Sequence, residues 1–165
     1  MKKLLVPFCL TLIIFIGSAG VSESADCDGL TADLPESMRD GSLILCKENA
    51  AKAKKGDVDA IFYFGEVYSQ DKKYSEAVKW WSLAAEKQHY RSLQNIAYAY
   101  AFFLKDDVRS LMWLNLMKNT EQWRGDTTAK NVYMQLRNRM NVQQIEKAQE
   151  LARECVLKEY KGCVE

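Results

Sequence analysis

The stretch Ala77 to Lys87, AVKWWSLAAEK, places two tryptophans side by side in a charged, alanine-rich run. Together with Tyr74, the residues Ala77, Val78, Trp81, Ala84 and Ala85 follow the i, i+3, i+4, i+7 spacing of one buried helix face. Trp81 belongs to that face. Trp80 is turned away from it by about 100°, so one neighbouring element cannot cover both rings. The pair therefore predicts a helix packed on two sides, with the aromatics serving as core.

Stacked helical hairpins produce such helices, and the flanking sequence repeats as they require. AKKGDVDAIFYFGEVY, Ala53 to Tyr68, aligns without a gap on AEKQHYRSLQNIAYAY, Ala85 to Tyr100, at an offset of 32 residues. Ala60 meets Ser92, Ile61 meets Leu93, Phe64 meets Ile96, Gly65 meets Ala97 and Tyr68 meets Tyr100. One residue further out of register, AVKWWSLA, Ala77 to Ala84, aligns on SLMWLNLM, Ser110 to Met117, with Trp80 on Trp113. A unit of about 33 residues holding two helices is the size of an alpha-solenoid repeat. The expected fold is all-α: a short alpha-solenoid of tetratricopeptide-like helical hairpins with capping helices.

The order Gly56, Ala60, Gly65, Tyr68, followed by Ala77, Trp80, Trp81 and the AAE of Ala84 to Glu86, resembles the Sel-one-like repeat, a relative of the tetratricopeptide repeat. The segment Val142 to Cys155, VQQIEKAQELAREC, is similar to the C-terminal portion of bacterial exported members. The likeness covers residues 52 to 155. The loop SQDKKY, Ser69 to Tyr74, is shorter than is usual there, and Gln88 and Ala97 stand where that family favours glycine. The resemblance implies a binding or scaffold role.

Two units leave apolar faces open, which the chain ends are expected to cap. The anticipated organisation is a leader over 1–25, an N-terminal tail and capping helix over 26–51, two repeats over 52–120, and C-terminal capping helices over 121–165. Asp126 and Asn141 are the expected N-caps of helices near Asp126–Met140 and Val142–Tyr160.

Met1-Lys2-Lys3, an apolar run from Leu4 to Ile16 and small residues at Gly17, Ser18 and Ala19 have the layout of a secretory signal peptide, with cleavage between 19 and 25. The 165-residue chain has 23 basic and 22 acidic side chains; losing Lys2, Lys3 and Glu23 leaves 21 of each. A mature chain near neutrality, with its charges dispersed, offers no footprint for nucleic acid or an anionic membrane.

Cys9 would leave with the leader, and Cys27, Cys46, Cys155 and Cys163 then read as two disulfides of an exported protein, periplasmic or extracellular and bacterial. Of three pairings, Cys27 with Cys46 and Cys155 with Cys163 is preferred, since each ties a chain end to an adjacent helix; the rival joins the two termini. Residues eight apart on one helix lie about 12 Å apart, beyond disulfide reach. The last helix must therefore stop before Cys163, and Gly162 is placed to turn the tail back. No C-x-x-C or Cys/His cluster suggests a metal, redox centre or other cofactor.

His89, the one histidine, falls in a turn where solvation is expected, and no nucleophile has an evident base beside it. Asp106 and Asp107 suit a helix start. The candidate partner-binding surface is the outer side of each unit's first helix: Phe62, Tyr63 and Glu66 with their repeat mates Gln94, Asn95 and Tyr98. The expected function is a non-catalytic interaction module for another protein or peptide. The alternatives are an envelope hydrolase acting on cell wall or antibiotic, and a purely structural disulfide-stabilised protein.

Overall fold

The computed structural model describes residues 27–28 and 36–164, so the expected leader lies outside the described residues. The elements there are helical throughout: α1 (Glu36–Lys54), α2 (Val58–Gln70), α3 (Tyr74–Ala85), α4 (Tyr90–Tyr98) continued by a π-helical segment (Ala99–Leu104), α5 (Asp107–Met117), a 3-10 turn (Gln122–Arg124), α6 (Thr127–Arg139) and α7 (Val142–Leu157). Each of α1 to α5 packs on its successor in the chain. Beyond α5 the order changes, because α7 covers α5 more extensively than α6 does.

Trp80 and Trp81 account for the two-sided packing of α3. Trp80 is 2% exposed and joins a first core with Cys27 and Cys46, Ala53 of α1, and Ile61 and Phe64 of α2. Its ring meets that of Phe64 at 4.8 Å. Trp81 is 3% exposed and joins a second, larger core built from α3, α4, the π segment, α5, α6 and α7. Adjacent residues on one helix thus serve different cores, as the 100° step between them requires.

The turns repeat with the sequence. Gly56, before α2, has φ +83°, and Gln88, 32 positions later and before α4, has φ +56°. Lys72, before α3, has φ +60°, and Lys105, 33 positions later and before α5, has φ +58°. The offset changes by one between these turns, where the π segment lies; a π turn takes up one residue more than an α turn. Asp106 N–H donates to Tyr100 O across it at 2.9 Å. The slip in register seen in the sequence is therefore absorbed inside a helix, and Trp80 and Trp113 both stay buried.

Side-chain caps fix the helix starts. Asp57, Asp106 and Asp126 accept from the backbone N–H of Ala60, Arg109 and Ala129. Asn141 and Gln144 form a reciprocal capping box at α7. That helix ends at Leu157, three residues short of the expected Tyr160, because Glu159 and Tyr160 adopt left-handed backbone (φ +52° and +67°) and Gly162 follows at +64°. The chain turns back and Cys155 pairs with Cys163 at a Cα separation of 5.4 Å. Cys27 pairs with Cys46 at 5.7 Å. Two such pairs fit an oxidising, exported location.

Candidate functional site

The site begins at Gly65. A Cβ built there would overlap Cδ1 and Nε1 of Trp81, so only glycine lets this indole lie flat against α2. Above the indole lies a depression of about 230 Å³ between α2, α3 and the end of α4. Glu66 and Ser69 border it from α2, Tyr74 from the first position of α3, and Asn95, Tyr98 and Phe103 from α4 and the π segment. Tyr74 and Phe103 stack face to face, with centroids 3.9 Å apart and planes inclined by 7°. Phe103 is 53% exposed, so its ring forms part of the rim.

Among the described residues four buried side-chain groups have no hydrogen-bond partner, Trp81 Nε1–H, Trp113 Nε1–H, the Tyr98 hydroxyl and the Asn115 amide, and of these residues Trp81 and Tyr98 border this depression. The unmatched atoms of both are sealed by the packing of α2, α3 and α4, so neither opens into the concavity, whose polar lining is Glu66, Ser69 and Asn95. Glu66 Oε1 accepts from Asn95 Nδ2 at 2.6 Å, and no lysine, arginine or histidine pairs with that carboxylate among the described residues. Burial, and then the negative charge of Asp126, push the Tyr98 phenol up to about 12. Gln94 lies close enough to oppose this slightly, but its amide donates to Asp126, and the Tyr98 hydroxyl is left without a bond of proper geometry. Tyr98 is a neutral hydroxyl at any physiological pH.

The six residues expected to form a partner surface are all half-buried and divide into separate settings. Glu66, Asn95 and Tyr98 meet at the depression. Phe62 meets the His89 ring edge-on at 4.8 Å, beneath the guanidinium of Arg91 at 5.8 Å. Gln94 joins Tyr90 in donating to Asp126, the N-cap of α6. Tyr63 packs against Phe64 and the first core. Tyr74, Trp81 and Phe103 carry no signal in the sequence that marks them for the site. Trp81 read as core, which it also is, and the partnership of Tyr74 with Phe103 joins the start of α3 to the π segment that follows α4.

His89 differs from the solvated turn residue expected. It is half-buried, its Nδ1 lies 2.9 Å from Ser92 Oγ, and burial lowers its pKa, opposed by Asp59 and reinforced by Arg91. The imidazole is neutral at pH 7 and works as packing and as a tether at the start of α4. Asp106 caps α5 as expected, whereas Asp107 reaches across to Arg139 at the end of α6.

Two other concavities are larger. One of about 630 Å³ lies between α3, the π segment and Val164, where Arg109 is already engaged by Asp106 and by the Tyr100 ring. The other, about 540 Å³, is an apolar groove between α5 and α7. Among the described residues no three His, Cys, Asp or Glu side chains converge as metal ligands, and no helix is long and apolar enough to cross a membrane. The chain matches no family model, no curated protein and no solved structure.

Proposed function

We propose that this chain is an exported, non-catalytic interaction module, a short alpha-solenoid of two Sel-one-like units between capping helices, which holds another protein or peptide at the depression between α2, α3 and α4. The observation that carries this reading is the meeting of the half-buried Glu66 carboxylate, which no cation among the described residues pairs, with the stacked rings of Tyr74 and Phe103 in one concavity. A carboxylate bonded to a single neutral amide keeps lone pairs for a partner, and aromatic rims supply contact area. Repetition of the left-handed turns and of the buried tryptophan supports the solenoid. The sequence likeness supports an adaptor role in a bacterium, the disulfides fit a periplasmic or extracellular setting, and the near-neutral charge favours neither nucleic acid nor membrane as partner.

Affinity capture with mild crosslinking from native envelope, under non-reducing conditions, tests the proposal. Wild type is compared with a Glu66→Ala, Asn95→Ala, Tyr98→Ala variant whose helical circular dichroism is unchanged. The expected result is a discrete protein captured by wild type and lost by the variant. Equal capture by both, or capture by neither, removes the depression as a partner site.

A further inference from the structure

The acidic group at the depression differs from those that form ion pairs or cap helices. Asp106, Asp107 and Glu150 face Arg109, Arg139 and Lys147. Asp57 and Asp126 cap helices. Glu66 is half-buried, bonded only to a neutral amide, and bordered by the rings of Tyr74, Tyr98 and Phe103. Asp126 adds negative potential felt at Tyr98, and no cation among the described residues counters it there.

The backbone contributes the same sign. Ser69 stands in the last turn of α2 and Phe103 near the end of the π segment, so two helix C-termini, each carrying partial negative charge, border the depression against the single N-terminus at Tyr74. A carboxylate among aromatic faces and carbonyl ends attracts a cation and repels an anion.

We propose that the depression receives a basic side chain, a lysine ammonium or arginine guanidinium borne by a partner polypeptide. The inference rests on the reading of the depression as the partner site and adds the chemistry of its occupant. The cation takes the free lone pairs of Glu66, with its alkyl stem along Phe103. The partner backbone packs on the stacked rings of Tyr74 and Phe103, which an alkylammonium ion without a backbone cannot do. The binding energy comes from a charge-assisted bond and from cation–π contact, both strengthened by partial burial.

The test is titration of the full mature chain with capped Gly-Lys-Gly and Gly-Arg-Gly peptides, following the assigned Trp81 Nε1–H resonance. Norleucine and glutamate peptides serve as neutral and anionic comparisons, and n-butylammonium as the amine without a backbone. Saturable shifts with the basic peptides are expected, with the norleucine and glutamate peptides and n-butylammonium each at least about tenfold weaker. Glu66→Gln, which preserves shape, should weaken the lysine peptide about tenfold, while Glu146→Gln on the exposed face of α7 should leave it unchanged.

Equal binding of norleucine, or no saturable shift with either basic peptide, overturns the proposal. Equal binding of n-butylammonium overturns its polypeptide half. If capture identifies a client that the triple variant loses but the lysine peptide neither binds nor competes, the partner site stands and its cationic occupant falls. If capture fails while the lysine peptide binds with these selectivities, the occupant stands and the captured-client reading falls.

Discussion

The helical pairs α2–α3 and α4–α5 begin from matching sequence and part at their second turn. Both enter through a left-handed residue, Gly56 and Gln88, and both reach their second helix through another, Lys72 and Lys105. In the first pair the leading helix is α-helical to Gln70. In the second, α-helix gives way to π-helix after Tyr98, and the extra residue widens the turn while Trp113 keeps the buried position of Trp80. The widened turn presents Phe102 and Phe103, 45% and 53% exposed, and Phe103 stacks on Tyr74 of the first pair. One inserted residue thus supplies a wall of the candidate site, in keeping with the association of π segments with functional positions.

The close approach inside each pair is met differently as well. Gly65 accommodates the Trp81 indole, whereas in the second pair Ala97 takes glycine's position and Leu114 stands at the place of Trp81. A smaller partner permits the extra methyl group.

If the pairs are structurally equivalent, Trp80→Ala and Trp113→Ala should each cost about 3–5 kcal/mol in chemical unfolding; a small loss at either would break the equivalence. Each core also holds a disulfide. Replacing Cys27 and Cys46 by serine should cost about 3 kcal/mol and replacing Cys155 and Cys163 slightly less, as the enclosed loops span 19 and 8 residues of sequence separation. Denaturant midpoints of the two double variants, at equal m, measure that order.

Gly65→Ala should lose about 1–3 kcal/mol by forcing the Trp81 ring from a filled position, although alanine is the better helix former. Ala97→Leu tests whether the second pair is as tight, and a tolerated leucine would show that it is not. Gln88→Gly should stabilise by at most about 0.5 kcal/mol, because relief of left-handed backbone is largely offset by greater freedom of the unfolded chain. Gly56→Ala should destabilise by about 1 kcal/mol, and thermal unfolding of both variants compares the two entry turns.

The smallest expected effect is confined to the second pair. Tyr98 is pushed up to about 12, so between the unfolded value near 10 and that pH the unfolded chain binds fewer protons than the folded one. This contribution is present below pH 10 and is lost as pH rises through 12. Tyr98→Phe should flatten that limb in a pH series of urea midpoints.

Much of the architecture was legible because helical periodicity is local. Trp80 and Trp81, a fixed rotation apart, required two covering neighbours, and the spacing of Cys155 and Cys163 required the last helix to end between them. The candidate site was half legible. Glu66, Asn95 and Tyr98 were marked as residues left over when the apolar face was assigned. Tyr74 and Phe103 were not, since the spacing between them carries no signal until the helices pack, and Trp81 had already been accounted for as core.

The sequence by itself determined the helices, their caps, the two-sided burial of α3 and a one-residue slip between repeats, all of which follow from periodicity, local hydrogen bonding and self-similarity. Tertiary structure alone decided where that slip is absorbed and what it builds. Whether an extra residue becomes a loop or a π turn depends on the cores that must keep Trp80 and Trp113 in place. The sharing of one depression by Glu66, Tyr98 and Phe103 depends on contacts between helices that no single segment of chain encodes.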